Sequence, residues 1–133
     1  AQAVWEYPEY DIYAWVDYGV FHLPGMTAQV LVDWAEKLDD KHIYFPGWWD
    51  QGPVTTDVCN WRFCGTAFAV PKNLVCQLDF EVREVARMNI FANRHVEWEV
   101  NTWGRWEKGT TLPVHWYRGQ HMANMFTNFE RPA

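Results

Sequence analysis

Histidine and glutamate side chains alternate along one short stretch of the chain, at His95, Glu97 and Glu99. In an extended strand these three positions project from one face, because successive side chains point to opposite sides. His115 lies in the next predicted strand and His121 follows shortly after it, so both could approach the same face. The pattern predicts an acid-base site or a metal site. The alternative is a solvated sheet face that carries mixed charges.

Two sets of candidate site residues follow from this pattern. The predicted catalytic residues are His95, Glu97, Glu99 and His115. The predicted metal ligands are His95, Glu97, His115 and His121. Because His and carboxylate ligands suit Zn or Fe, a divalent metal such as Zn could be bound, although acid-base chemistry would not require it. The spacing matches no HExxH motif, and the chain has no GxSxG, P-loop or GxGxxG motif.

Aromatic residues make up 18% of the 133 residues, and ten of the residues are Trp. Trp and Tyr combine an apolar ring with a polar group that needs a partner, so they concentrate at cavities and interfaces. This composition predicts an aromatic-lined apolar cavity that binds an apolar or aromatic small molecule. The predicted ligand-binding residues are Trp34, Trp48, Trp49, Phe80, Trp98 and Trp116.

In the first half of the chain, the residue pattern predicts one strand, one helix and one irregular segment. Aromatic and β-branched residues predict a strand over 12–22. Thr27 is placed to cap a helix that runs to Asp40, with an apolar stripe that should pack on a sheet. Two Pro and two Gly predict an irregular segment over 45–53, around the Trp pair. This pair would form either a binding lip or a plug over one end of the core.

The second half of the chain is predicted to be mostly β-structure. Four stretches are predicted to be extended, namely 60–70, 74–83, 95–103 and 112–118. The last two should form an antiparallel hairpin around a turn at 107–109, while the pattern over 85–93 is ambiguous. Apolar residues at helical spacing from Met122 to Phe129 predict a short C-terminal helix.

This order of elements predicts an α+β fold and a single domain over residues 1–133. We expect a curved antiparallel sheet packed by one long helix and one short C-terminal helix. That architecture resembles helix-grip or cone-like folds, in which such a sheet wraps an apolar cavity.

Charge and composition exclude several classes of partner. The net charge of −6 and the lack of a Lys/Arg cluster argue against nucleic acid. Membrane insertion is not expected, so the chain should be soluble. Three Cys allow at most one disulfide, and the start at Ala1-Gln2-Ala3 without Met favours a secreted or periplasmic protein over a cytoplasmic one.

Three functions from different classes remain open at this point. The first is a small-molecule-binding domain with an aromatic-lined cavity. The second is a hydrolase or lyase that uses the His/Glu site in the same cavity. The third is a structural subunit whose aromatic surfaces pack against neighbouring chains in an oligomer.

Overall fold

The computed structural model describes residues 2–133 and contains a four-stranded sheet with helices on both faces. The strands are β1 (Ile12–Val16), β2 (Ile43–Gly47), β3 (Ala67–Pro71) and β4 (Val114–Arg118). The α-helices are α1 (Gln2–Glu6), α2 (Ala28–Ala35), α3 (Val75–Asn93), α4 (Glu99–Trp106) and α5 (Asn124–Thr127). Short 3-10 helices cover Tyr18–His22 and Lys72–Leu74.

The strands are ordered β1-β3-β2-β4 in an open sheet. β3 pairs antiparallel with both β1 and β2, whereas β2 and β4 are parallel. The predicted α+β class is therefore confirmed, but the sheet is mixed rather than wholly antiparallel. Two neighbouring parallel strands need a long crossover connection. The connection between β2 and β4 contains β3, α3 and α4.

The core has two halves, one on each face of the sheet. All five residues of the central strand β2 are buried, and their side chains alternate between the two halves. Tyr44 joins the half that is covered by α2 and α5, together with Trp34 and Phe126. Phe45 joins the half that is covered by α3 and α4, together with Trp106. Each half therefore receives one helix pair and one sheet face.

The helix that begins after Thr27 is confirmed, with an earlier end than predicted. The Thr27 hydroxyl accepts a hydrogen bond from the Val30 amide at 3.3 Å, as an N-cap residue should. Helix α2 ends at Ala35 rather than Asp40, because the amides of Lys37 and Leu38 bond to carbonyls three residues back and tighten the chain into a turn. This turn still buries Leu38 against the sheet.

Two predictions in the first half need correction. The strand predicted over 12–22 stops at Val16, because the Asp17 carboxylate accepts a hydrogen bond from the Gly19 amide and starts a 3-10 turn. The irregular segment predicted over 45–53 begins as the last three residues of β2. Pro46 is tolerated there because β2 pairs with β3 only at Tyr44.

Two predicted strands in the second half are wrong, and a third is shorter than predicted. Of the stretch 74–83, Leu74 ends the short 3-10 helix and the rest belongs to helix α3, which also contains the ambiguous stretch 85–93. The stretch 95–103 is a loop followed by the start of α4. The residues of α3 that face the core are Leu78, Val82, Val85 and Asn89. They are three or four residues apart, as on one side of a helix, although apolar and polar residues alternate over 74–83. The stretch 60–70 is a strand only from Ala67 onward.

The two elements predicted near the C-terminus are present. Strand β4 lies within the predicted stretch 112–118, although it pairs with β2 rather than with a hairpin partner. The short C-terminal helix is α5, which buries Met125 and Phe126. No helix within residues 2–133 has both the length and the apolar character needed to cross a membrane.

Candidate functional site

The His/Glu cluster predicted on one strand does not form, because residues 95–99 do not form a strand. His95 is exposed in the loop after α3. The Glu97 side chain is nearly buried, and its carboxylate pairs with Arg105 of α4 at 3.0 Å. Glu99 lies in the first turn of α4, against Gly65. The catalytic set therefore loses the shared face on which it depended.

The predicted metal ligands are also dispersed. His121 lies beside Thr66, with 3.1 Å between its Nδ1 and the Thr66 hydroxyl, and its ring faces Trp61. His115 lies on β4 among a different set of neighbours. Within the described part of the chain, no group of three or more His, Cys, Asp and Glu side chains could hold a metal ion.

His115 instead meets residues from the connection that precedes β2. Parallel pairing of β2 with β4 sets His115 opposite Tyr44, and the two ring centroids are 5.7 Å apart. The His42 ring lies 6.3 Å from the His115 ring, and the His42 Nδ1 is 3.5 Å from the Asp39 carboxylate. Sequence analysis missed this polar cluster of Asp39, His42, Tyr44 and His115, because only the pairing of β2 with β4 brings it together.

Burial controls the chemistry of the polar cluster. It lowers the pKa of His115, and nearby His42 adds to that effect, while the hydrogen bond from His115 Nε2 to the Glu130 carbonyl at 3.1 Å offsets only part of it. Burial also raises the pKa of Tyr44, whose hydroxyl has no hydrogen-bond partner among residues 2–133. Both side chains are thus held neutral at neutral pH.

The lowered pKa of His115 predicts that acid destabilises the protein. Unfolding restores a His pKa of about 6.5, so the unfolded chain binds more protons than the folded chain between the two pKa values. Stability should be fully present above the unfolded pKa and should fall as the pH drops from about 7 towards the folded pKa. Urea unfolding of wild type and His115→Gln at several pH values measures this, and the variant should show the smaller slope.

The exposed His95 provides the control for this experiment. His95→Gln should keep the wild-type slope of unfolding free energy against pH, because its side chain is solvated in the folded chain as well. Equal slopes for wild type and His115→Gln would contradict the assignment to His115.

The six predicted ligand-binding aromatics do not share one environment. Trp34 is buried in the core and packs edge-on against Phe126, with ring centroids 5.3 Å apart. Trp116 packs against the Arg62 guanidinium, which lies 4.1 Å from its ring centroid, and its indole nitrogen donates to the Arg62 carbonyl at 2.6 Å. The remaining four are partly exposed: Trp48, Trp49, Phe80 and Trp98.

The Trp48-Trp49 pair is a partly exposed lip with an ordered backbone. Both of its amides donate to the Trp61 carbonyl, at 2.8 Å and 3.0 Å. The Trp48 carbonyl accepts from Arg118 at 2.9 Å, and Arg118 also pairs with Asp50. The geometry thus fixes the loop while leaving part of both indole rings in solvent.

A different apolar groove lies between the sheet and α3. It has a volume of about 430 Å³ and is open to solvent along one side. Its main apolar lining residues come from β1, β2, β3, α3 and α4, and they are Trp15, Phe45, Phe68, Val70, Leu78, Val82 and Trp103. Asp79 and Arg83 lie at its rim and form an ion pair at 2.9 Å. None of the six predicted ligand-binding residues lines this groove.

The lining of the groove follows from local structure and strand pairing. On β1 and β3, Trp15 is the direct cross-strand partner of Phe68, so both rings lie on the same sheet face. On α3, Leu78 and Val82 are one helical turn apart and face that sheet. Sequence analysis missed the groove because it treated the first half of α3 as a strand.

The three cysteines are free thiols in this structure. Cys64 is buried and its thiol donates to the Gly119 carbonyl at 3.3 Å. Burial raises the pKa of this thiol to about 11, so it is protonated and unreactive at neutral pH.

Comparisons with protein-family models, with curated proteins and with solved structures find no significant match to this chain. The function must therefore be argued from the geometry of the chain itself.

Proposed function

We propose that this protein binds an apolar or aromatic small molecule in the groove between the sheet and α3. The observation that supports the proposal is the composition of the groove. Among residues 2–133 its lining consists mostly of aromatic and aliphatic side chains, with two charged residues at its rim. Its volume of about 430 Å³ lies in the range that small-molecule sites occupy.

The aromatic side chains of the groove are already held in place before any ligand enters. Phe45 and Phe68 are stacked with ring centroids 5.3 Å apart, and Trp103 meets both rings at 5.3 Å. A flat ring that enters the groove would contact a wall whose own rings need little rearrangement. Preorganisation of this kind reduces the entropy lost on binding.

The rim charges narrow the class of ligand. Arg83 is 74% exposed and its pairing with Asp79 is an i,i+4 contact in water, which is worth little. An acidic group on the ligand could therefore share or replace Asp79 at Arg83. We propose a ligand with an aromatic or apolar body and an acidic end.

The geometry of the described residues gives the hydrolase or lyase alternative no comparable support. His95, Glu97 and Glu99 do not share a face with His115, and these four residues are not lining residues of the groove. The proposal is therefore binding rather than turnover.

A change at Trp15 tests the groove. Trp15 is 57% exposed, so Trp15→Ala should leave the fold intact while it removes one aromatic wall. We expect the dissociation constant of anilinonaphthalene sulfonate to rise about tenfold, the equivalent of about 1.4 kcal/mol, because ring stacking and apolar contact are lost. Titration followed by the probe's own fluorescence under direct excitation measures this.

Trp98→Ala is the matched control, because Trp98 is 49% exposed and does not line the groove. Its affinity for the probe should equal that of the wild type. Arg83→Gln should weaken binding of the sulfonate probe but not of phenylnaphthylamine, which has similar rings and no charge. Equal affinities of wild type and Trp15→Ala, or a loss confined to Trp98→Ala, would refute binding in the groove.

A further inference from the structure

The outer face of α3 carries a regular stripe that no other element within residues 2–133 covers. Phe80, Glu84, Arg87 and Phe91 follow one another at intervals of four, three and four residues, which puts them on one side of the helix. Phe80 and Phe91 are 65% and 73% exposed, although Phe side chains are normally buried. We call these four residues the outer stripe.

The outer stripe is self-complementary. Read in reverse, its order Phe-Glu-Arg-Phe becomes Phe-Arg-Glu-Phe, with each Phe matched by a Phe and each charge matched by its opposite. If two copies of α3 pack antiparallel about a two-fold axis between positions 85 and 86, Phe80 faces Phe91 of the second copy. In the same arrangement Glu84 faces Arg87 of the second copy, and the other pairs follow by symmetry.

Charge complementarity therefore points to a second copy of this chain as the occupant of this face. Within one chain, Glu84 and Arg87 form an exposed pair at 3.0 Å, which contributes little. Between two copies the same groups would form two symmetric pairs flanked at both ends by Phe contacts, where water is partly excluded. Exposed Met88 and Ile90 extend the apolar surface beside the stripe.

We infer that α3 is the interface of a symmetric homodimer in which the outer stripes of two copies pack antiparallel. The apolar wall of the groove does not take part, because its α3 residues Leu78 and Val82 lie on the sheet-facing side of the helix. One helix pair buries less surface than a standard interface, so the dissociation constant should be micromolar rather than nanomolar.

Charge reversal tests the inference with the full chain. Glu84→Arg places two Arg on each stripe, and Arg87→Glu places two Glu, so either variant alone brings like charges face to face and should be monomeric. An equimolar mixture of the two variants should form heterodimers, because every facing pair is then Arg with Glu. Analytical ultracentrifugation of wild type, each variant and the mixture measures all four cases.

Removal of one ring provides a second, independent test. Phe91→Ala should weaken dimerisation about tenfold, because the aromatic contacts between Phe80 and Phe91 at both ends of the interface are lost. Phe21→Ala is the matched control, since Phe21 is 57% exposed and lies outside α3, and it should dimerise like the wild type. Phe21, Arg87 and Phe91 are exposed and the Glu84 side chain is 42% exposed, so the variants should keep the wild-type circular dichroism spectrum.

Three results would overturn the inference. One is a wild-type protein that stays monomeric into the upper micromolar range. The second is dimerisation of the single charge-reversal variants with wild-type affinity, which would place the interface elsewhere. The third is a mixture of the two variants that stays monomeric although the wild type dimerises.

Discussion

Gly47→Ala is expected to lower the free energy of unfolding by about 4 kcal/mol, since it combines overpacking with the loss of a partly buried hydrogen bond. A methyl group at Gly47 would lie far inside van der Waals distance of the Arg62 carbonyl oxygen and the Trp116 indole nitrogen. These two atoms are themselves hydrogen-bonded at 2.6 Å, so they cannot separate without breaking that bond. Urea unfolding measures the loss.

Gly47→Ala should also destabilise segments beyond β2, because Arg62 contacts several parts of the structure. Its guanidinium pairs with Glu107 just after α4, at 2.9 Å, and covers the ring of Trp116. Displacing the Arg62 backbone would therefore loosen α4 and the Trp48-Trp49 lip together, since the lip is held by the neighbouring Trp61 carbonyl.

Other glycines provide controls for the prediction at Gly47. Gly19 and Gly109 have no other described atom within 4 Å of a methyl group added to them. Gly19→Ala and Gly109→Ala should change the free energy of unfolding by less than about 0.5 kcal/mol, as exposed substitutions usually do. A Gly47→Ala protein as stable as these two would show that Arg62 and Trp116 do not close over β2 as described.

Features that depend on a few adjacent residues were predictable from the sequence. The Thr27 cap is the best example, because a hydroxyl before an apolar helical stripe needs no information from the rest of the chain. The short helix α5 and the strand β4 are further examples, since each has a local pattern that survives in the fold. From such elements the α+β class could be predicted.

Helix α3 shows why a local pattern can mislead. Apolar residues at alternate positions from Leu74 to Val82 predict a strand, yet the same window contains the helical pair Leu78 and Val82. A strand would bury Cys76 and Phe80 on its apolar face, whereas the helix leaves them outside the core. Both side chains are exposed in the structure. That exposure is decided by the packing of α3 on the sheet, so the sequence window alone could not resolve it.

The candidate sites depended on contacts between distant segments. His115 meets His42 only because β4 pairs with β2 in parallel, and Trp15 meets Phe68 only because β1 pairs with β3. Neither pairing has a turn signal, since the partner strands are separated by helices or long loops. The aromatic richness of the chain is therefore visible in the sequence, but the residues that line the groove are not.

Asn101→Leu is expected to lower the free energy of unfolding by about 3 kcal/mol, because buried backbone groups lose their partner. The Asn101 side chain is fully buried, and its amide oxygen accepts from the Asn60 backbone amide at 2.7 Å. Its amide nitrogen donates to the carbonyls of Thr55 and Val58, at 2.9 Å and 2.8 Å. One side chain on α4 thus supplies three bonds to a loop that has no regular structure.

Leucine has the same branching of side-chain heavy atoms as Asn but a larger volume, so the substitution leaves no cavity, and the cost should come from the lost hydrogen bonds together with some overpacking. Asn73→Leu is the matched control, because Asn73 is exposed, and it should change stability by less than about 0.5 kcal/mol. Hydrogen exchange distinguishes the mechanism: the Asn60 amide should lose protection in Asn101→Leu more than the amides of β2 do. Equal loss at both places would mean that Asn101 stabilises the whole fold without holding this loop in particular.

The loop that Asn101 holds also leads to Arg62. Release of this loop should therefore leave the Trp48-Trp49 lip less ordered, while the groove on the other side of α4 still binds its probe.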